Sequence, residues 1–398
     1  MGGSASECMA PQPLRIAMIG TRGVPATYGG FETAVEEVGR RLAARGHTVT
    51  VYCRSRKGDP RPERYAGMQL VYFPAARRRS LETLSHTGLS VAHVLRHRGH
   101  DVALVFNAAN SVFLPLLRLR QVPTATHVDG LEWRRGKWGP AGKKYYRSAE
   151  SMAVRWSDAL IADAKGIATY YIDEFGATTE QIAYGAPILR HSQMTRLEEL
   201  GCEPRAYHLV VARFEPENHV DLAIEGYLRS SATHPLVVVG STPYPAEYDT
   251  RVRELAARSD RVRLIGGVWD QDLLDVLYAN SLTYVHGHSV GGTNPSLLRA
   301  MGAAAPVVAY DVSFNRDVLG PAGLLFRDAD GLAAHLVAAE ANSEEFAARG
   351  QVLQQRAASE YTWDAVAEQY EQLSLKLANG ESQRGRFDGR RRSASQWD

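Results

Sequence analysis

Short apolar runs alternate with helix-spaced stretches along most of the chain. The first run, 15–19, leads through a glycine-bearing loop into a helix predicted over 31–45. There Val35, Val38 and Leu42 recur at helical spacing and Gly46 stops the pattern. A β-rich run at 48–53 completes a βαβ unit with a right-handed crossover. Further strands are predicted at 69–73, 102–106, 124–127 and 159–162. The alternation then restarts. Strands are predicted at 208–212, 236–239, 262–265, 282–285 and 306–309, with helices over 220–228, 246–257, 271–279 and 295–301 between them. Each series reads as a doubly wound α/β sheet. A last helix over 363–377 carries Val366, Tyr370, Leu373 and Leu377 on one face. It must pack back on the body, because an isolated amphipathic helix is marginal.

At 398 residues two domains are favoured over one core. The expected division is a disordered 1–13, a first domain over 14–190, a linker over 191–204, a second domain over 205–358, a returning helix over 359–378 and a disordered tail over 379–398. Ligands of open α/β sheets bind at the carboxyl ends of the strands. Two such sheets face to face make a cleft suited to joining two substrates away from water.

Composition changes this little: 44% of residues are hydrophobic and 23% charged, with a net charge of +2. The charge is uneven. Arg77, Arg78 and Arg79 form one basic run, and 134–147 is another, interleaved with Trp138, Tyr145 and Tyr146. Cys8, Cys53 and Cys202 have no paired spacing, which argues against a disulfide framework. No apolar run reaches spanning length, and 1–13 lacks the apolar core of a signal peptide. A cytoplasmic location is expected, with peripheral contact at the inner membrane face as a further option.

The densest chemistry lies at 286–301. After the apolar run come His286, His288, Gly291 and Gly292, then Asn294 as a helix N-cap and Pro295 at the first helical position. Glycines let backbone approach a ligand, and the N–H groups and positive dipole end of the helix favour an anion, best a phosphate. Other ligands fit less well. Gly20-Thr21-Arg22-Gly23 is not a dinucleotide fingerprint, and the second strand ends in Cys53-Arg54 rather than a ribose-binding acid. No phosphate-binding P-loop motif occurs, and neither a zinc spacing nor a nucleic-acid motif is present, so no metal, no cofactor and no nucleic acid are expected. Asp328 and Asp330 resemble a metal-binding pair, but Asp330 is better read as a helix cap.

Five segments in order, 19–32, 127–135, 213–218, 287–296 and 309–316, resemble the retaining GT-B glycosyltransferases of family four. The match is closest to a bacterial subgroup that includes rhamnosyltransferases of surface-polysaccharide assembly. The resemblance implies two Rossmann-like domains facing across a cleft, no obligatory metal, and a nucleoside-diphosphate sugar as co-substrate. It implies donor contacts from Gly29, Gly30, Val268, Gly291, Gly292, Thr293, Asn294, Pro295, Ser296 and Leu297, with Arg213 clamping the diphosphate. His127 and Asp129 would lie at the reacting centre, and Glu132, Trp133 and Arg134 would meet the acceptor. Three positions depart from the wider family pattern. Gly291 and Arg299 stand where two glutamates are expected, one touching the transferred sugar and one the ribose, and Asn218 stands where a phosphate-binding lysine is expected; the glycine is shared by the subgroup. A guanidinium only donates, so Arg299 must act differently, for instance on phosphate.

The expected reaction is sugar transfer from a nucleotide sugar, with rhamnose or another deoxysugar as the guess, to a hydroxyl of a glycan, lipid-linked or small-molecule acceptor. The alternatives are a catalytically weak sugar-nucleotide-binding partner and a sugar-nucleotide hydrolase or epimerase on the same fold.

Overall fold

The apolar runs pair into two parallel sheets in the computed structural model, which describes residues 12–26, 29–55, 58–76, 79–128, 130–136, 138–189, 194–242 and 247–392. The first sheet is built from β1 (Arg15–Ile19), β2 (Thr48–Ser55), β3 (Arg64–Tyr65), β4 (Met68–Pro74), β5 (Val102–Phe106), β6 (Thr124–His127), β7 (Ala159–Ala162) and β8 (Glu180–Gln181). Its order is β3-β4-β2-β1-β5-β6-β7-β8, and only β3–β4 is antiparallel. The second contains β9 (His208–Val211), β10 (Leu236–Val239), β11 (Val262–Gly266), β12 (Thr283–His286), β13 (Val307–Tyr310) and β14 (Leu324–Phe326), ordered β11-β10-β9-β12-β13-β14 and parallel throughout. Every residue of β5 and β10 is buried, as expected of central strands covered by helices on both faces. Chain order reverses beside β1 and again beside β9, which opens a ligand crevice at the carboxyl end of each sheet.

The helix Gly30–Ala44 buries Val35, Val38 and Leu42 against the first sheet, each with no exposed surface. The helix Trp363–Ala378, last of the second half of the chain, lies on that same helix of the first domain. Val366, Tyr370, Leu373 and Leu377 are its buried face. At its edge Arg41 meets Asp364 at 2.7 Å, and Glu371 takes Arg45 at 2.5 Å and His47 at 2.8 Å. Trp363 lies over Gly185, where an added Cβ would come within 2.3 Å of the indole.

Three regions differ from the sequence reading. The expected linker contains a 3-10 segment, Met194–Leu200, and Leu197 and Cys202 are buried in the main core; residues 190–193 lie outside the described residues. The tail expected to be disordered is instead a strap on the first domain as far as Arg392. Arg384 pairs with Asp158 at 3.2 Å, Phe387 packs on the core, and Arg391 sits between Glu150 at 2.5 Å and Glu174 at 2.7 Å. Its anchors are charged, so a search for apolar periodicity passes over it. Finally, the cap of helix Ala329–Ala341 is Asp328, which accepts from Gly331 N–H at 2.8 Å, while Asp330 pairs with Arg229 at 3.0 Å.

Candidate active site

The loop after β12 has the form its residues dictate. Gly291 sits at φ 135°, a conformation that costs other residues strain. The Asn294 side chain caps the helix Pro295–Gly302 by accepting from Ser296 N–H at 3.0 Å, and Pro295 fills the first turn. Behind the cap runs a buried relay: Tyr284 O–H donates to Ser296 Oγ at 3.1 Å, and Ser296 O–H donates to Asn294 Oδ1 at 2.7 Å. His286 lies 3.1 Å from the Tyr284 hydroxyl and stacks on His288 with ring centres 4.4 Å apart. Burial pushes His286 down to about 3 and His288 well below its ordinary value, helped for His288 by His286, Arg213 and Arg135. The wall is therefore rigid and its imidazoles neutral. Among the described residues, no acceptor engages the N–H groups of Gly291, Gly292 or Thr293.

This loop closes on the first domain. A Cβ on Gly30 would come 2.8 Å from Pro295, one on Gly130 2.7 Å from the Gly291 backbone, and one on Gly292 2.0 Å from Asp163. The Thr293 hydroxyl donates to the Asp163 carbonyl at 2.6 Å. Beyond these contacts opens a cleft of about 1030 Å³ between the two sheets. The N-terminus of helix Gly30–Ala44 also opens on it, next to Gly29 at φ 106°. Two helix dipoles thus converge there, each equivalent to roughly half a positive charge. Glu32 lies in the first turn of the first-domain helix, where it accepts from Arg22 N–H at 3.1 Å. The anion-favouring surface is consequently stronger on the second domain.

Most of the residues singled out in the sequence meet in this cleft: Gly29, Gly30, Glu132, Arg213, Val268, Gly291, Gly292, Thr293, Asn294, Pro295, Ser296 and Arg299 all line it. Others do not reach it. His127 is 2% exposed behind Phe31, packed edge-on at 5.0 Å, with Phe106 and Tyr184 each at 5.9 Å. Desolvation pushes it down to about 3, and its Nδ1 has no partner among the described residues. It supports the wall of the cleft and forms no part of its surface. Trp133 is 9% exposed, packed in a first-domain core with Arg147 and Arg134 over its ring at 4.9 and 5.4 Å. Leu297 is fully buried under the loop. Asn218 donates to the Arg213 carbonyl at 2.9 Å, so it pins the strand end that carries the cation. Pro295 has no N–H, and the Ser296 N–H is taken by its cap, so those two offer no backbone donor. Asp129 lies outside the described residues.

Arg299 reaches the cleft in an ion pair. Its Nε donates to Asp275 at 2.5 Å, and burial holds that carboxyl above its ordinary value. Glu132 is likewise engaged: it takes Arg135 at 2.6 Å and the Trp138 N–H at 3.2 Å. Arg135 in turn faces Glu217 of the second domain at 3.9 Å.

The cleft holds further residues, some noted in the sequence without a firm place in the site and others passed over. Trp138, Tyr145 and Tyr146 supply an aromatic surface on the first-domain side, from the basic segment already noted for its aromatics. Arg135 and Asn107 lie with them, and Trp269, 61% exposed, stands beside Val268 on the other side. His288 also lines the cleft. Among the described residues, no group of three His, Cys, Asp or Glu side chains is placed to hold a metal, and no helix is long and apolar enough to cross a membrane.

Comparison with known proteins places this geometry. A glycosyl transferase 4-like domain matches residues 29–186, and a glycosyl transferases group 1 domain matches residues 205–342. The O-antigen chain mannosyltransferase B of Escherichia coli is 27% identical over 139 residues, which is 33% of this chain and 36% of that protein, so the chain spans about a third of that relative. The glycogen synthase of Mycobacterium tuberculosis is 25% identical over 409 aligned residues, 93% of this chain and 96% of that protein. Among solved structures, sucrose-phosphate synthase from Thermosynechococcus elongatus superposes with a TM-score of 0.78 at 20% identity, covering 92% of this chain and 99% of that one. Anabaena HepE in complex with UDP-glucose gives 0.73 at 16% identity, covering 91% and 99%. These likenesses show the GT-B fold.

Proposed function

The chain is a glycosyltransferase of GT-B architecture, and we propose that it moves a sugar from a nucleoside-diphosphate donor to a hydroxyl of a glycan, lipid-linked or small-molecule acceptor. The observation that carries this reading is the second-domain loop. Unengaged N–H groups at 291–293, a capped helix N-terminus and Arg213 border one cleft, opposite an aromatic surface. In this reading the diphosphate lies on 291–293 with Arg213 beside it. Fixed donors there stabilise the charge that grows on the departing diphosphate, and such stabilisation is usually the largest single contribution to catalysis of this kind. The base lies by Val268 and Trp269. The acceptor lies by Trp138 and Tyr145, and the closed contacts around Gly30, Gly130 and Gly292 keep water from the donor. His127 holds Phe31 in place without touching sugar. Retention of configuration, independence of metal and a cytoplasmic site belong to the proposal through the family resemblance.

The resemblance favours a deoxysugar such as rhamnose, whereas the names of the relatives point to mannose and to UDP-glucose. A thermal-shift screen of nucleoside diphosphates and nucleotide sugars tests the reading, since a ligand that binds only the folded chain raises its apparent stability. A selective shift is expected; no shift with any of them overturns it. Product analysis then separates transfer (a glycoside) from hydrolysis (free sugar), epimerisation (an isomeric nucleotide sugar) and binding alone.

A further inference from the structure

Away from the cleft, a second cavity of about 350 Å³ lies between helix Leu114–Leu119, the end of helix Pro140–Trp156 and the C-terminal strap. Arg118, Arg155, Arg384 and Arg390 line it, against the single carboxylate of Asp388. Arg118 and Arg155 lie over the ring of Trp156, at 5.3 and 5.0 Å from its centre. Neither has a carboxylate partner among the described residues. Arg384 is tied to Asp158 at 3.2 Å, and Arg390 makes only a loose, exposed pair with Asp388 at 3.6 Å. So many guanidiniums at one place are unusual in a chain of net charge +2. Stacked guanidiniums are pre-organised for bidentate binding of phosphate.

The elements that carry Arg118 and Arg155 also expose apolar side chains. Leu119 is 78% exposed and Leu116 40%, one helical turn apart on the short helix that carries Arg118. Val112 precedes them, and Met152 lies one turn before Arg155 and Trp156; both are exposed. A single exposed leucine needs no explanation, but several exposed apolar groups on the same elements as these cations have the character of an interfacial surface.

We propose that this surface docks on an anionic lipid bilayer, the arginine cavity taking a lipid phosphate and Leu116 and Leu119 entering the headgroup boundary. The strap supplies half of the cavity's arginines, and burying Arg391 between Glu150 and Glu174 fixes it in place. Helix Pro140–Trp156 runs from Tyr145 and Tyr146 in the cleft to Arg155 and Trp156 here, ten residues further on and about 15 Å along its axis. Docking would therefore hold the acceptor side of the enzyme at a fixed distance from the membrane. A nucleic acid would use the arginines and leave the leucines in water.

The test is sedimentation of the full chain with vesicles of phosphatidylcholine alone or with added phosphatidylglycerol, at low and high salt and without donor, so that its outcome is independent of sugar transfer. Binding is expected only with phosphatidylglycerol and weaker at high salt. The R118E/R155E variant is expected to lower it at least about 25-fold, taking about fivefold per lost arginine. L119S, at a position too exposed to affect folding, is expected to lower it several-fold with an unchanged melting temperature. Equal binding to both vesicles, or full binding by both variants, overturns the proposal. So does loss in R118E/R155E with full binding in L119S, or stabilisation by inorganic phosphate without vesicle binding, since each makes the site one for a soluble anion.

Discussion

The second-domain side of the cleft is backbone: the N–H groups of Gly291, Gly292 and Thr293 have no acceptor among the described residues, and the side chains behind them are neutral imidazoles and hydroxyls bonded to one another. The first-domain side is made of side chains that already hold each other. Glu132 grips Arg135 and Trp138, Tyr145 donates to the Ala109 carbonyl at 2.6 Å, and the half-buried Arg54 meets Glu82 at 3.1 Å. In the proposed reading the backbone amides recognise what every donor shares, a diphosphate. Interlocked side chains can be exchanged to recognise what differs between acceptors. The contrast explains why the donor loop shows itself in sequence as glycines and a cap, whereas the acceptor wall shows only as an unspecific basic, aromatic stretch.

Acidification is expected to have the largest effect, and it strikes both walls. His127 behind one and His286 behind the other are pushed down to about 3, and His86 and His208 to about 4, all by burial, against 6.5 ordinarily. Below pH 6.5 the unfolded chain takes up protons that the folded chain refuses. Stability is therefore whole above that pH and falls as pH drops toward 4, by roughly 1 kcal/mol per unit per histidine. Melting temperatures across this range check the slope. His127→Phe should flatten it, since Phe suits an aromatic cage, whereas His286→Phe should destabilise the wall because the Tyr284 hydroxyl keeps Ser296 but loses its contact with the imidazole.

The two tryptophans of the first-domain side should behave oppositely. Trp133→Ala empties a core site and is expected to cost about 3–5 kcal/mol in denaturant unfolding. Arg213→Ala, on the backbone wall, should leave stability nearly unchanged and lower kcat about 10²–10³-fold, the usual loss of one fixed donor to a developing anion. Trp138→Ala comes next, with acceptor KM raised about tenfold and nucleotide binding in thermal shift unaltered. The distinction between the walls fails if Trp138→Ala weakens nucleotide binding or Arg213→Ala mainly raises acceptor KM.

How much of this could be read beforehand differs between the walls for the same reason. Both parallel sheets follow from the alternation of apolar runs, and Asn294 and Pro295 mark the donor helix, because capping is local chemistry with a local signature. Trp133 and Trp138 cannot be told apart by sequence, since five residues in a loop do not say which ring turns inward. His127 was legible as the end of a buried strand, but its place behind Phe31 depends on how helix Gly30–Ala44 packs on β5 and β6. The strap escaped because Arg384 and Arg391 are anchored by carboxylates far away in the chain.

Arg299 gives the smallest expected effect and the finest test of the backbone wall. It is the one charged side chain on that loop's helix, and Asp275 offsets it at 2.5 Å, both groups being roughly three-quarters buried. If the wall works through backbone, Arg299 only adds to an existing anion site. Arg299→Ala should then weaken nucleoside-diphosphate binding a few-fold by isothermal titration. Arg299→Glu should weaken it about tenfold, because a second carboxylate beside Asp275 is repelled by it and by the diphosphate. Tighter binding in Arg299→Glu would mean that the position calls for an acceptor of ribose hydroxyls, and that a side chain governs donor affinity there in place of the amides.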